Sequence, residues 1–425
     1  MLEFPRFAVS LKIEDGLQQT IIAELLNQQG IIFERWTSDS KQPVHIDSNI
    51  INEADITPIF EMLAGTSDKQ YMEDKLHSVP MNEFGEKLAG HVKEMCFKQN
   101  LPFARKATWP NFAPACAIIT HDIDTLNNPP IGHKLEFMKY AMVRKIKKQA
   151  FNDNVDHIKA IERENDVNAS FYFFSGYGKH QTHLKKVLAH LDNKDEIALH
   201  GSQHSFQSVS TLEKEMKELE KIAGARINGI RQHGLNFMVP HTWRYQEKAG
   251  FEYDLTHAYN DKFGFRAGTC YPFHPFDSLT KEKLKILELP TSFMDWTALH
   301  QGLDYSATMN KIKELCSVVE KHNGVFVSIF HNMYINQKSH PDITKTFTDT
   351  IKYLKEKKYW IIPASECTKW WRERESAKLD ISASSGALTI ISDTSLPIEI
   401  FYPDGKVKNV NAEAGIQLEI KYDHN

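Results

Sequence analysis

From Ala115 onward, short apolar runs bounded by turn residues alternate with longer stretches of helical period. The runs predict strands over 115–120, 168–174, 195–199, 227–231, 252–255, 285–289, 324–330 and 359–362, and the stretches between predict helices over 181–192, 210–223, 306–322 and 344–357. Strand and helix in steady alternation imply a parallel sheet. The number of units favours a closed or nearly closed (β/α) barrel, with a doubly wound open sheet as the alternative.

The rhythm differs on either side. Residues 1–112 read as an N-terminal α/β domain of unknown role, with strands near Phe7 to Leu11 and Gly30 to Phe33 and helices over 17–28, 54–63 and 81–96. Thr108-Trp-Pro-Asn-Phe-Ala-Pro114 is a Pro-marked linker. The expected barrel spans 113–379, and a last helix over 364–378 carries Trp370 and Trp371. Residues 380–425 alternate as short strands over 388–391, 398–402 and 416–421, with turn chemistry at Tyr402-Pro-Asp-Gly405. They read as a small β appendage that depends on the barrel for stability.

Composition narrows the class without naming it. A chain of 425 residues with a formal charge of −4 gives no global pull toward nucleic acid. Five scattered cysteines without a Cys-x-x-Cys fit reduced thiols. No apolar run approaches a membrane span, and Met1-Leu-Glu-Phe-Pro-Arg-Phe-Ala lacks the pattern of a secretory leader, so the expectation is a cytoplasmic protein. Residues 134–151 are basic and amphipathic; a helix with a solvated basic face is the simpler reading, and any membrane contact would be peripheral. Oligomeric state is not legible.

The chemistry-bearing residues gather at predicted strand ends. Ala115-Cys-Ala-Ile-Ile-Thr-His-Asp-Ile-Asp124 runs from a buried strand into Asp122 and Asp124. His200-Gly-Ser-Gln-His204 follows the next-but-one strand, and His at i and i+4 is a common chelating spacing. Arg231-Gln-His-Gly234 ends another strand, and His331-Asn332 follows an apolar strand near the end of the alternation. The loop from Phe265 to Asp277 is dense in aromatics, proline and glycine. Each has a bland explanation alone. Their coincidence on one rim matches how α/β barrels place function.

The order of Thr120-His-Asp-Ile-Asp124, His200-x-x-x-His204 and Arg231-Gln-His resembles the polysaccharide deacetylase family, the NodB-homology carbohydrate esterases, over residues 115–365. His-Asp-x-Asp stands where that family commonly has Thr-Phe-Asp-Asp, and Arg-Gln-His-Gly where it has Arg-x-Pro-Tyr. The resemblance implies a distorted (β/α) barrel. It implies Asp122 as general base, Arg231 holding that base ionised, and His331 as general acid, with Asp295 the candidate carboxylate beside it. It further implies a divalent ion, most simply Zn²⁺ with Fe, Co or Ni as alternatives, on Asp124, His200 and His204. The roles of Gln232 and His233 stay open.

One carboxylate and two imidazoles leave positions free on such an ion, which polarises an acyl carbonyl and activates water. A base takes the water proton, and an acid protonates the leaving amine or alcohol. The implied activity is removal of N- or O-acetyl groups from a saccharide or saccharide precursor, with hydrolysis of another linear or cyclic amide as the alternative. Tyr271, Phe273, Phe276 and Trp296 are candidates for a sugar-stacking wall, with core packing equally open. A nucleotide-sugar transferase, an iron(II) oxygenase and a non-catalytic carbohydrate-binding homologue are rivals. The first needs no His-x-x-x-His, the second usually carries His-x-Asp on a β scaffold, and the third needs no intact base and acid.

Overall fold

The computed structural model describes residues 9–35, 44–47, 53–67, 78–124, 126, 154–175, 181–384 and 386–422. The basic stretch 134–151 lies outside them. Strands β1 (Val9–Lys12), β2 (Phe33–Arg35) and β3 (Val44–Asp47) form a parallel sheet in the order β2-β1-β3. The helix Gly16–Gln28 starts where Asp15 accepts a hydrogen bond from Gln18 N–H and buries Ile21, Ile22, Leu25 and Leu26. Two further helices, Glu53–Leu63 and Pro80–Lys98, complete this part. Strand β4 (Phe103–Lys106) leads into the central sheet.

That sheet comprises β5 (Cys116–Ile123), β6 (Ser170–Phe173), β7 (Glu196–Gly201), β8 (Gly229–Gln232), β9 (Tyr253–Asp254), β10 (Leu287–Glu288), β11 (Thr291–Met294), β12 (Val325–Ile329) and β13 (Trp360–Ile361). All are parallel, in the order β10-β9-β8-β7-β6-β5-β12-β11, with β13 beside the start of β5. β10 and β11 lie at opposite edges but are separated in sequence only by Leu289 and Pro290. One continuous segment therefore pairs first with β9 and then with β12, and the chain itself bridges the gap. The result is a distorted (β/α) barrel, the architecture expected from the alternation. The predicted strand over 285–289 is only the first half of this bridge; Pro290, which lacks an N–H, separates it from the second.

Period-two alternation sorts the strands into two faces. Cys116, Ile118, Tyr172, Ala198, Val325 and Val327 fill the barrel interior around Tyr253 and Trp371. Ala117, Ile119, Phe171, Leu199, Ile230 and Phe326 pack outward in the sheet–helix layer. The same parity sends Asp122, His200, Arg231 and His331 inward at the strand ends. β5 outlasts its predicted end at residue 120, so His121 and Asp122 belong to the strand and point to opposite faces.

The C-terminal strands β14 (Leu379–Ser384), β15 (Ala387–Ser392), β16 (Leu396–Phe401), β17 (Val407–Ala412) and β18 (Gln417–Lys421) form two antiparallel sheets, β14-β15-β18 and β17-β16-β4. They share one apolar cluster that includes Leu388, Ile390, Ile398 and Ile400. The hairpin β16–β17 turns at the expected Tyr402–Gly405, where Gly405 takes a φ of 85°. β4 was not legible as a strand: Phe-Ala-Arg-Lys is too short and mixed, and its partner lies almost three hundred residues away.

Candidate active site

Asp122 and Arg231 form the buried centre. Arg231 Nη1 donates to Asp122 Oδ1 at 2.6 Å, and both side chains are almost wholly out of solvent. Burial pushes the Asp122 carboxyl up, but Arg231, helped by His200 and His331, outweighs it and holds the group below the ordinary carboxylate range. Arg231 is itself stacked on Tyr172, its guanidinium carbon 4.3 Å from the ring centroid. Strand register places Tyr172 directly opposite Asp122.

Asp124, His200 and His233 form a second group, each offering a ligand atom within 4.8 Å of the others. His200 Nε2 stands 3.2 Å from Asp124 Oδ1, and His233 Nε2 stands 3.9 Å from the same oxygen. His200 Nδ1 donates to Arg231 O at 3.0 Å and His233 Nδ1 donates to Gln203 Oε1 at 3.1 Å. Both Nδ1 atoms are committed as donors, so in the neutral rings the Nε2 lone pairs face the carboxylate. Burial would raise Asp124, but His200, His331 and His233 hold it far below its usual value. Asp124 Oδ1 and His200 Nε2 are buried without a hydrogen-bond partner. Two acceptor atoms left bare together, within an N,N,O donor set, fit a divalent cation.

His204, expected in this group, is exposed and stands outside it. The i, i+4 spacing aligns two rings only on a helix, whereas β7 continues to Gly201 and the chain then turns. Ser205 Oγ donates to Gln232 Oε1 at 2.8 Å, which ties that turn to the opposite face of β8 from Arg231. The approach is close: a Cβ on Gly201 would lie 2.2 Å from Gln232 Oε1. His233 instead follows Arg231 by two residues and shares its inward face. The spacing Arg231-Gln-His233 carries that parity, but whether the ring reaches Asp124 depends on the turn that follows β8. Phe174, also not anticipated, packs on both His200 and His233, with ring centroids 4.7 and 5.3 Å away.

His331 faces the acidic pair from β12. Its Nε2 lies 4.0 Å from Asp122 Oδ2 and 3.9 Å from Asp124 Oδ2. Asp295 receives both its backbone N–H, at 2.7 Å, and its ring Nδ1–H, at 2.6 Å. Burial alone would lower the imidazole; Asp295, then Asp124 and Asp122, raise it to about 9. Nδ1–H is thus committed to Asp295, and Nε2 is directed at the two carboxylates. Of the proposed wall, Tyr271, Phe273 and Phe276 are core residues, whereas Trp296 is 39% exposed beside Tyr334, 6.4 Å between centroids.

Fold and site together define a barrel whose rim carries a buried carboxylate–guanidinium pair, an N,N,O set of candidate metal ligands and a histidine held by a carboxylate. No family model matches the sequence, and no curated protein matches it closely enough to serve as a relative. Among solved structures, the chain is similar to a Mycobacterium smegmatis protein described as a candidate polysaccharide deacetylase, at 16% identity over 64% of this chain and 94% of that one, with a TM-score of 0.48. It is also similar to the peptidoglycan deacetylase PdaC from Bacillus subtilis, at 12% identity over 62% and 94%, TM-score 0.32. A third is BA3943 from Bacillus anthracis, described as a CE4 family pseudoenzyme, at 11% identity over 61% and 66%, TM-score 0.37. At such identities the chemistry has to be read from this chain's own residues.

The described residues include no helix long and apolar enough to cross a membrane. All five cysteines are buried free thiols, and burial pushes Cys96 and Cys316 up to about 12.

Proposed function

We propose that the chain is a metal-dependent hydrolase that removes acetyl groups, N- or O-linked, from a saccharide or saccharide precursor. One observation carries the reading: Asp122 Oδ2 and His331 Nε2 face each other at 4.0 Å beside the Asp124, His200, His233 group. The barrel, residues 113–379, supplies all five. Asp124, His200 and His233 would hold a divalent ion, most simply Zn²⁺, which would supply Lewis-acid chemistry when bound. Asp122 is ionised and accepts the proton of the attacking water, while Arg231 fixes its other oxygen. His331 carries a proton and hands it to the leaving amine or alcohol, with Asp295 holding its tautomer and charge. Trp296 offers an exposed ring for a sugar face.

Metal analysis of the purified chain, followed by acetate release from a panel of acetylated sugars, tests the proposal. About one divalent ion per chain and acetate release that a chelator abolishes are expected. Acetate release that persists unchanged in metal-stripped protein would overturn it.

Two further results follow from the site. Asp295→Asn removes the main charge that raises His331, so the alkaline limb of kcat should move to lower pH, toward the ordinary imidazole range. A pH–rate profile on an amide substrate decides this, and an unmoved limb would take the acid role away from His331. Trp296→Ala should raise KM for saccharides by roughly 5- to 100-fold, the equivalent of about 1–3 kcal/mol of lost stacking on the scale of base–aromatic contacts, with kcat on a small aryl acetate little changed.

A further inference from the structure

Beside the rim lies a cavity of about 400 Å³ that the chemistry above does not use. Its walls come from two parts of the chain: Met62 and Gly65, at the end of the helix Glu53–Leu63, and Leu235, His257, Ala258 and Arg266 from the barrel. Leu235 and Ala258 belong to one apolar cluster with Met294 and Ile329. The cluster ties the cavity to the reacting groups: Met294 precedes Asp295, and Leu235 follows His233 by two residues, so the Cα atoms of Leu235 and His233 are at most about 7.6 Å apart.

Two polar side chains of the wall are only partly engaged by the protein. Arg266 is half-buried and donates Nη1–H to Ala258 O at 2.9 Å, yet among the described residues no carboxylate lies within ion-pair distance of it. Glu288, buried nearby, and Asp261, in the wall but exposed, act on it only from farther away. His257 is 3% exposed, and its Nδ1 is buried without a hydrogen-bond partner. Burial and the nearby Arg266 push the His257 imidazole well below its ordinary value, so the ring is neutral and its nitrogen is free to bond a ligand. The fit around this ring is close: a Cβ on Gly65 would lie 3.2 Å from His257 Cε1. A guanidinium with spare N–H groups in a partly dry pocket is suited to a planar or tetrahedral anion, which it binds in a bidentate manner.

We propose that this cavity is a subsite for an acidic group carried by the substrate, a carboxylate or a phosphate, with Arg266 as its anchor and His257 beside it. The proposal rests on the hydrolase reading above and deepens it: the N-terminal part of the chain completes the pocket that selects the substrate. The acidic group binds one cavity away from the acetyl group that reacts.

The test measures binding without turnover. In the full-length Asp122→Asn chain, calorimetry compares N-acetylglucosamine with its 6-phosphate and with its 3-O-lactyl ether, which bears a carboxylate. At least one acidic probe should bind 10-fold or more tightly than the neutral sugar. The better of the two identifies the anion. Adding Arg266→Gln should erase that preference, and Arg266→Lys should restore part of it, which a folding defect would not do. Equal affinity for all three sugars, or a preference that survives Arg266→Gln, overturns the proposal. The hydrolase reading is judged separately, by acetate release from the wild-type chain: its failure leaves the binding result standing, and acetate release without acid preference leaves only the subsite refuted.

Discussion

His233→Ala is expected to lose bound metal and acetate release together, whereas His204→Ala should keep both. Loss of an outer-shell partner costs roughly 10–100-fold in metal affinity, and loss of a direct ligand from a three-residue set should cost more. The expectation follows from placement. His233 Nε2 is 3.9 Å from Asp124 Oδ1 with its other nitrogen already committed to Gln203, while His204 is exposed on a turn tied to the far face of β8. Elemental analysis and activity, measured on the same preparations, check it. Metal retained at wild-type affinity by His233→Ala, or lost by His204→Ala, would restore the helical-spacing assignment.

Asp122→Asn should bind metal normally and lose about 10²–10⁴-fold in kcat, the usual contribution of a general base. An amide is close to isosteric and can still accept from Arg231, so the fold should survive, but it cannot take the water proton at neutral pH. The pH dependence carries a second sign. In the wild type Arg231 keeps Asp122 below the ordinary carboxylate range, so the base is already ionised above that range and the acidic limb lies at low pH. Arg231→Gln removes the cation while burial persists, and the acidic limb should move up. Removing one member of a buried pair typically costs about 3–5 kcal/mol of stability, so the limb position is the more informative readout than the rate alone. Near-normal turnover in Asp122→Asn would assign the base elsewhere.

These effects trace to residues whose type and order are visible in the sequence but whose partners are not. Strand–helix alternation from Ala115 made the barrel legible, because parallel strands buried on both faces leave apolar runs that nothing else in a soluble chain requires. Period two within those strands also fixes which side chains point inward, and Asp122, Arg231 and His331 follow from it. The short strands were harder to see. β4 and β11 exist because a partner strand arrives from elsewhere, and local propensity in four residues does not encode that arrival.

The sequence by itself determined the parallel α/β alternation, the clustering of acids, histidines and arginine at strand ends, and a hairpin at Tyr402–Gly405. These are local or periodic properties, set by burial pattern and turn chemistry. Tertiary structure alone decided that His233 and not His204 joins Asp124 and His200. It also decided that Tyr271, Phe273 and Phe276 are core, and that Met62 and Gly65 wall a cavity with Arg266. Each depends on where a chain goes after a strand or helix ends. That direction is set by distant contacts such as Ser205 with Gln232 and Gly65 with His257, which spacing along one chain cannot express.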